Sequence, residues 1–125
     1  MMLSLGLFAF GIDTLAYQEF ARRTDWKHAR QSRVGARDAN QFTGPGADTI
    51  TLPGLLLPEF AGDPESLDDL RAMAGGGDAF PLVDGTGRVY GDFIITGIDE
   101  RQSLFFADGR ARRIEFTIDL VRVEP

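Results

Sequence analysis

A strand with strictly alternating side chains lies at residues 112–123 and limits the possible folds more than any other feature. Apolar residues alternate with polar ones there: Ile114, Phe116, Ile118 and Leu120 are separated by Glu115, Thr117 and Asp119. A period of two buries one face, which is typical of an antiparallel strand. After Leu120 the apolar positions shift to Val121 and Val123, which predicts either a bulge or a strand end that meets another chain.

Turn residues divide the rest of the chain into further strands. Asp108-Gly109 predicts a hairpin between residues 103–106 and 112–123, and turns at residues 84–87 separate strands at 80–83 and 89–98. Strands are also predicted at 17–33, where a helix fits only slightly worse, and at 49–57. Pro53 lacks an N–H donor, so the latter strand is expected at a sheet edge or with a bulge.

The opening segment, residues 3–12, is apolar on both faces of a predicted strand. Leu3, Leu5 and Leu7 lie on one face, and Phe8 and Phe10 on the other. Such a strand needs cover on both sides, from its own domain or from a partner. The segment has no basic region or cleavage site and is shorter than a bilayer span of about 20 residues, so we expect neither a signal peptide nor an anchor.

One amphipathic helix is predicted at residues 64–74. Asp63 or Ser66 can cap it, Leu67 and Leu70 form its apolar stripe, and three glycines follow it. With 125 residues the chain is the size of a single domain. We therefore predict one α+β domain over residues 1–125, an antiparallel β-sandwich or partial barrel of six to eight strands with one packed amphipathic helix.

Positive charge is concentrated in one segment of an acidic chain. Residues 22–37 carry six positive charges and one negative, a net +5, whereas the remainder carries seven positive and eighteen negative, a net −11. Glycine and proline at residues 35 and 44–46 predict that residues 34–48 are a loop, so residues 22–48 form a long basic arm or loop. Charge separation of this kind suits head-to-tail docking of copies, but a solvated basic loop is an equal alternative.

Catalytic and cofactor-binding motifs are lacking in the sequence. The chain has no cysteine and a single histidine, His28, which excludes two-histidine metal motifs. The adjacent Asp68 and Asp69 point about 100° apart on a helix and do not converge. We therefore predict no enzyme, no metal and no cofactor. A sequence pI of about 4.6 argues against specific nucleic-acid binding.

Several ordered motifs resemble the GpU family of tail proteins from contractile-tailed phages. They are QSRVG at residues 31–35 after Trp26, QFTGPG at 41–46, DTITL at 48–52, FADG at 106–109 and RIEF at 113–116. Their order and spacing extend the resemblance over nearly the whole chain. Pro53 and the glycines at 75–77 depart from the pattern, which leaves strand pairing and helix length open at those points.

The resemblance implies a structural component that is required for tail assembly, in phages, prophages or tail-derived bacteriocins. It implies a tail-tube-like sheet in a sixfold ring of copies on the tail axis, near the hub or the tube start. The expected neighbours are tube, hub or tape-measure proteins, with no membrane insertion. The protein would be made in the bacterial host cytoplasm and reside in the virion tail.

Two other functions remain open on the sequence. One is a head-tail or tail-completion protein at the opposite end of the tail, contacting a connector or DNA. The other is a small hydrolase for cell-wall penetration, which the missing catalytic motifs disfavour. For the ring, the predicted assembly interface consists of the first strand, the basic segment and the last strand: Leu5, Leu7, Phe8, Phe10, Arg22, Arg23, Trp26, Lys27, Arg30, Arg33, Phe42, Val121 and Val123.

Charge reversal at Arg30 and Arg33 tests the role of the basic segment. The double variant Arg30→Glu/Arg33→Glu is expected to assemble poorly while the isolated domain stays folded, because it removes the positive field of the segment. Particle yield measures assembly, and circular dichroism measures folding. A normal particle yield would count against this role.

Overall fold

The computed structural model describes residues 3–11, 14–33 and 36–123, and the side chains of these ranges except at 29–43. This part of the chain forms seven strands and one helix. The elements are β1 (Leu3–Leu5), β2 (Phe8–Phe10), β3 (Ala21–Arg33), β4 (Ala36–Leu56), α1 (Glu65–Gly75), β5 (Phe80–Asp84), β6 (Val89–Phe105) and β7 (Ala111–Arg122).

All seven strands belong to a single antiparallel sheet with the order β2-β1-β5-β6-β7-β4-β3. The prediction of an α+β sandwich or partial barrel is therefore wrong: the fold is mostly β, with one sheet and one short helix. The reason is strand length. β4 has 21 residues and β6 has 17, so continuous pairing keeps the chain in one sheet, whereas the helix has only 11 residues.

The core is built on the inner face of β7 and its neighbours. The alternation predicted for β7 is confirmed, since Ile114, Phe116, Ile118 and Leu120 are all buried. Across the strand pair, Leu120 lies opposite Ile50 and Ile118 opposite Leu52. Apolar pairs facing each other across neighbouring strands are the main stabilising contacts of a sheet.

The opening segment forms a hairpin, and the predicted two-faced strand is wrong. Gly6 has a φ of +60° and lies in the turn between β1 and β2. This turn brings Leu5, Phe8 and Phe10 to the same core, while Leu7 projects fully into solvent. The two turn residues, Gly6 and Leu7, shift the buried positions from odd numbers in β1 to even numbers in β2. This shift made both faces of a single continuous strand look apolar.

The end of β7 is regular, without the predicted bulge. Val121 lies opposite Thr49 of β4 and Ile94 of β6, and the register shift in this region falls on β6 between Ile95 and Gly97. The Val123 amide donates to the Asp92 carbonyl at 3.0 Å. The apolar positions change after Leu120 because Val121 lies on the other, half-buried face of the sheet.

The predicted helix is confirmed and packs on the sheet through one stripe. Leu67 and Leu70 are buried, and the Glu65 amide at the helix start donates to the Asp63 carboxylate at 3.0 Å. On the exposed side, Arg71 forms an ion pair with Glu100 of β6 at 2.7 Å. Glycine follows the last turn, as expected.

The loop predicted at residues 34–48 is a strand over its described residues, since β4 begins at Ala36. Gly44 and Pro45 lie within the pairing with β3, where register shifts accommodate them. β4 is central in the strand order and has no bulge at Pro53, but the proline lies beyond the pairing with β3, at a local edge of the sheet as predicted. The proline is tolerated because β3 pairs no further than Thr51, and the Pro53 carbonyl accepts from the Gln18 amide at 2.9 Å.

Gly54 is a position where β4 cannot accept a side chain. A Cβ there would meet the Phe116 ring and the Ala16 carbonyl oxygen at 2.9 Å. Gly54→Ala is expected to lower the free energy of unfolding by about 1–3 kcal/mol, because it overpacks the core. Urea denaturation measures the loss.

Gly75→Ala is the matched control for that substitution. Its Cβ would meet nothing within 4 Å, and the residue ends the helix. Alanine is favoured over glycine in helices, so this variant should be as stable as wild type or slightly more stable. Equal loss of stability in both variants would contradict the packing explanation.

Candidate functional site: an arm beyond the sheet

The β3–β4 hairpin extends well past the strands that support it. The pairing of β4 with β7 ends at Thr49, whereas β4 continues to pair with β3 from Asp48 to Ala36. We call residues 24–33 and 36–47 the arm. From Thr24 to Arg33 the strand advances nine residues, so the arm is about 30 Å long at the usual rise per residue.

The arm is a two-stranded ribbon that the described sheet leaves unsupported. β3 is the last strand in the order, and β4 has no β7 partner along the arm. A two-stranded ribbon is at best marginally stable in water, and its unpaired backbone groups are templates for another chain. The unpaired backbone groups of the arm therefore both require hydrogen-bond partners and offer a place where another chain can bind.

An ion pair fixes the base of the arm to the sheet. Arg22 of β3 donates from Nε and Nη2 to the two Asp48 carboxylate oxygens, at 2.9 and 2.6 Å. Thr24 donates to the same carboxylate at 3.3 Å, and Arg122 of β7 lies 3.8 Å from it. The Asp48 residue is only 8% exposed. Three strands therefore meet at one buried carboxylate.

The same ion pair shifts both pKa values. The Arg22 hydrogen bond is the main cause that lowers the pKa of Asp48, against the opposing effect of burial. In return, the hydrogen bond to Asp48 raises the pKa of Arg22. Bidentate arginine–carboxylate pairs also fix the relative orientation of the two strands, so this pair sets the direction in which the arm leaves the sheet.

Aromatic contacts join the arm base to the far side of the curved sheet. The Phe20 and Tyr90 ring centroids are 5.3 Å apart, and the Arg22 guanidinium lies 5.6 Å from the Tyr90 centroid. Tyr90 belongs to β6, which is not a sheet neighbour of β3. The arm base is thus held by β4, β6 and β7 together.

Most of the predicted basic interface residues lie on or beside the arm. Arg23, Trp26 and Lys27 are exposed on β3, and Trp26 is 61% exposed despite its size. Arg23 forms a solvent-exposed ion pair with Asp25 at 3.0 Å. Arg30, Arg33 and Phe42 belong to β3 and β4, but their side chains lie outside the described part.

Other predicted interface residues lie elsewhere. Leu5, Phe8 and Phe10 are buried in the core of the chain itself, so they are not accessible to a second copy in this fold. Leu7 is exposed, but in the β1–β2 turn. Val121 and Val123 are half-buried at the end of β7 near the arm base. The structure thus groups the basic segment with the end of β7, whereas Leu5, Phe8 and Phe10 belong to the core.

Sequence reasoning missed a second exposed apolar surface at the opposite end of the sheet. It consists of the end of β6, the β6–β7 turn and the turn after β4, and its exposed residues are Leu57, Phe60, Leu104, Phe105 and Phe106. We call it the tip cluster. Three consecutive large apolar residues before the Asp108-Gly109 turn were the available signal, because a hairpin tip is ordinarily polar.

The tip cluster is held in place by polar contacts. Arg112 forms an ion pair with Glu59 at 2.8 Å, which ties the two turns together, and its guanidinium lies 5.2 Å from the Phe106 ring centroid. Leu104 has a φ of +57°, a conformation that costs a residue with a side chain about 1–2 kcal/mol. A strained, exposed and fixed apolar turn is characteristic of a binding surface.

Among the described residues, no three histidine, aspartate or glutamate side chains are grouped so that they could hold a metal ion. The helix in this part of the chain is too short and too polar to cross a membrane. The prominent surfaces of the described fold are therefore the arm and the tip cluster.

Comparison with known sequences relates the chain to phage proteins. The sequence model of the Phage P2 GpU family matches residues 6–124. A probable tape measure protein of Halomonas phage phiHAP-1 is 29% identical over 114 residues, which cover 90% of this chain. The chain spans only 13% of the length of that relative.

Two solved structures share the fold over nearly its whole length. A chain in the virion of a native gene transfer agent particle has a TM-score of 0.65 at 15% identity, covering 99% of this chain and 91% of that chain. A chain in the tail of an empty gene transfer agent particle, refined with C6 symmetry, has a TM-score of 0.60 at 16% identity and the same coverage. At these identities the similarity concerns the fold.

Replacement of Asp48 tests whether the ion pair supports the arm base. Asp48→Asn is expected to destabilise the protein by about 1–3 kcal/mol, because hydrogen bonds to charged groups contribute that much and Arg22 would lose its counterion. Urea denaturation at pH 7 measures the loss. Asp68→Asn, which removes an exposed ion pair with Arg71, is the matched control and should change stability much less.

The effect of Asp48→Asn should also depend on pH. A carboxylate with a lowered pKa stabilises the fold above its unfolded pKa of about 3.9 and loses that contribution as the pH falls through the folded value. The stability difference between wild type and variant should therefore be full at pH 6–7 and shrink below about pH 3.9. A difference independent of pH would show that the loss has another origin.

Proposed function

The chain belongs to the Phage P2 GpU family, and from this membership we propose that six copies form a ring on the axis of a contractile phage-type tail. Membership in this family makes the chain a phage-type tail structural protein. The proposed position is near the hub or the tube start, and the proposed role is a contribution to tail assembly without catalysis.

The arm is the observation that supports a ring most strongly. It is a basic ribbon of about 30 Å with unpaired backbone on both sides in the described sheet, and the rest of the chain is acidic. A neighbouring copy can supply both the cover and the opposite charge. Because the arm and its acidic partner surface are different parts of the chain, the contact is head-to-tail, and head-to-tail contacts that close produce rings.

Sixfold symmetry is supported by the fold shared with a tail refined with C6 symmetry. The similarity to a probable tape measure protein supports a position at the tail axis, beside tape-measure, tube or hub proteins. The tip cluster provides a second surface for such neighbours, at the opposite end of the sheet from the arm.

Deletion of the gene from its tail gene cluster tests the proposal. Complete tails should be lost, because the ring on which other tail proteins build would be missing, and the wild-type gene supplied in trans should restore them. Electron microscopy counts the tails. Quantitative mass spectrometry of purified particles should find six copies, or a multiple of six, per tail.

The position in the tail is tested on the same particles with antibodies against the chain. Labelling at the tube start is expected. Labelling at the head-proximal end would identify a completion protein instead and would contradict the proposed position. Complete tails in normal number without the chain would contradict the assembly role.

A further inference from the structure

We propose that the arm of one copy docks into an apolar groove at the opposite end of the next copy, with Trp26 as the anchor. The groove lies between residues 14–16, which run beside the end of β4, and the turn at residues 57–62. The inference rests on the proposed ring and specifies which surfaces of neighbouring copies meet. Its occupant is a second copy of this chain.

The groove is small, apolar and partly formed by the tip cluster. Its volume is about 140 Å³, and its lining includes Thr14, Ala16, Leu57, Phe60 and Ala61. A cavity of about 150 Å³ lined by apolar side chains is sufficient to bind benzene. The groove can therefore take up the six-membered ring of an indole, while the Phe60 side chain, 81% exposed, lies at its side.

Trp26 matches the groove as an anchor in shape and chemistry. It is the single tryptophan of the chain, and it projects from the arm with 61% of its surface exposed. Tryptophan is enriched among the residues that contribute most to protein interfaces, usually in an apolar pocket of the partner. An exposed tryptophan on an uncovered ribbon thus complements an open apolar groove on the same chain.

The charges around the two surfaces are opposite. Lys27 lies beside Trp26, and residues 24–47 carry four positive charges and two negative, a net +2. The nearby Arg22 and Arg23 are already paired with Asp48 and Asp25. Residues 54–70, which form the groove turn and the start of α1, contain five acidic residues and no lysine or arginine. Glu59 is paired with Arg112, whereas Asp63 and Glu65 are exposed at the edge of this region. Opposite fields of this kind guide docking and set its orientation.

A larger groove on β6 and β7 is a poorer match for the arm. It has a volume of about 390 Å³, and its lining is charged, with Asp99, Glu100 and Glu115 beside Arg101. Glu115 is already paired with Arg113 at 2.8 Å. Glu100 is likewise paired, with Arg71 at 2.7 Å, and the charged lining offers no apolar pocket for an indole.

Cross-linking between two introduced cysteines tests the docking in assembled particles. The chain has no cysteine, so His28→Cys/Ala61→Cys carries only two thiols and keeps Trp26 in place. Within one chain these positions are far apart: His28 pairs with Phe42, and Ala61 with Leu57, fifteen residues along the sheet or about 50 Å. A short bismaleimide linker can therefore join them only between copies.

We expect the linker to produce a ladder of covalent oligomers that ends at six chains. The matched control is His28→Cys/Ala72→Cys, in which another exposed alanine, on α1, carries the second thiol. This control should give only a background of dimers, in which the linker joins residue 28 of one copy to residue 28 of another. Trp26→Ala in the purified protein should weaken self-association about 30-fold, as measured by sedimentation, whereas Trp26→Phe should retain most of it.

The possible failures are distinguishable. Intact rings that cross-link no better through residue 61 than through residue 72 would overturn the docking and leave the ring standing. Cross-linking of residue 28 mainly to a different tail protein would overturn the second copy as the occupant. Absence of the chain from assembled tails would overturn the proposed function and the docking together.

Discussion

The pairing of β4 on two sides is the constraint on which the rest of the structure depends. Residues 49–56 of this strand pair with β7 and complete the core, while residues 36–51 pair with β3 and continue beyond the sheet. One strand thus belongs to both the folded body and the exposed arm. Asp48 lies where these two regions meet, and its buried carboxylate binds Arg22 with Arg122 nearby. Movement of the arm relative to the core would have to break this ion pair. The broken pair would leave the Asp48 carboxylate in a buried place, where little water can solvate it.

Most of the individual elements could be predicted from local patterns, but the way in which the strands assemble into one sheet could not. The alternation on β7, the Asp108-Gly109 hairpin and the helix after Asp63 follow from residue spacing and turn chemistry, and the structure confirms each. The sandwich prediction was wrong because the pairing of β4 with β7 joins residues 58 to 72 positions apart, which no local pattern encodes. The strand at residues 36–48 was missed because its glycines and proline signal turns when their cross-strand partners are unknown.

The candidate surfaces were predictable to different degrees. The basic segment was evident from charge alone, since six positive residues are concentrated in sixteen positions. Burial decided the apolar candidates, and it could not be read from the sequence: Leu5, Phe8 and Phe10 lie in the core, whereas Leu104 and Phe105 are exposed. Hydrophobicity gives the tendency to be covered but does not say whether the same chain or another chain provides the cover. The role of Asp48 was also hidden, because its partner Arg22 is 26 residues away.

The excess positive charge of the arm has a consequence for newly made protein. Two arms of equal sign repel each other, so pairing of one bare ribbon with another is disfavoured even though both have free backbone groups. In the proposed docking, the same charge that disfavours the wrong contact would accelerate the encounter with an acidic surface, so a single stretch of sequence would select against one contact and for the other.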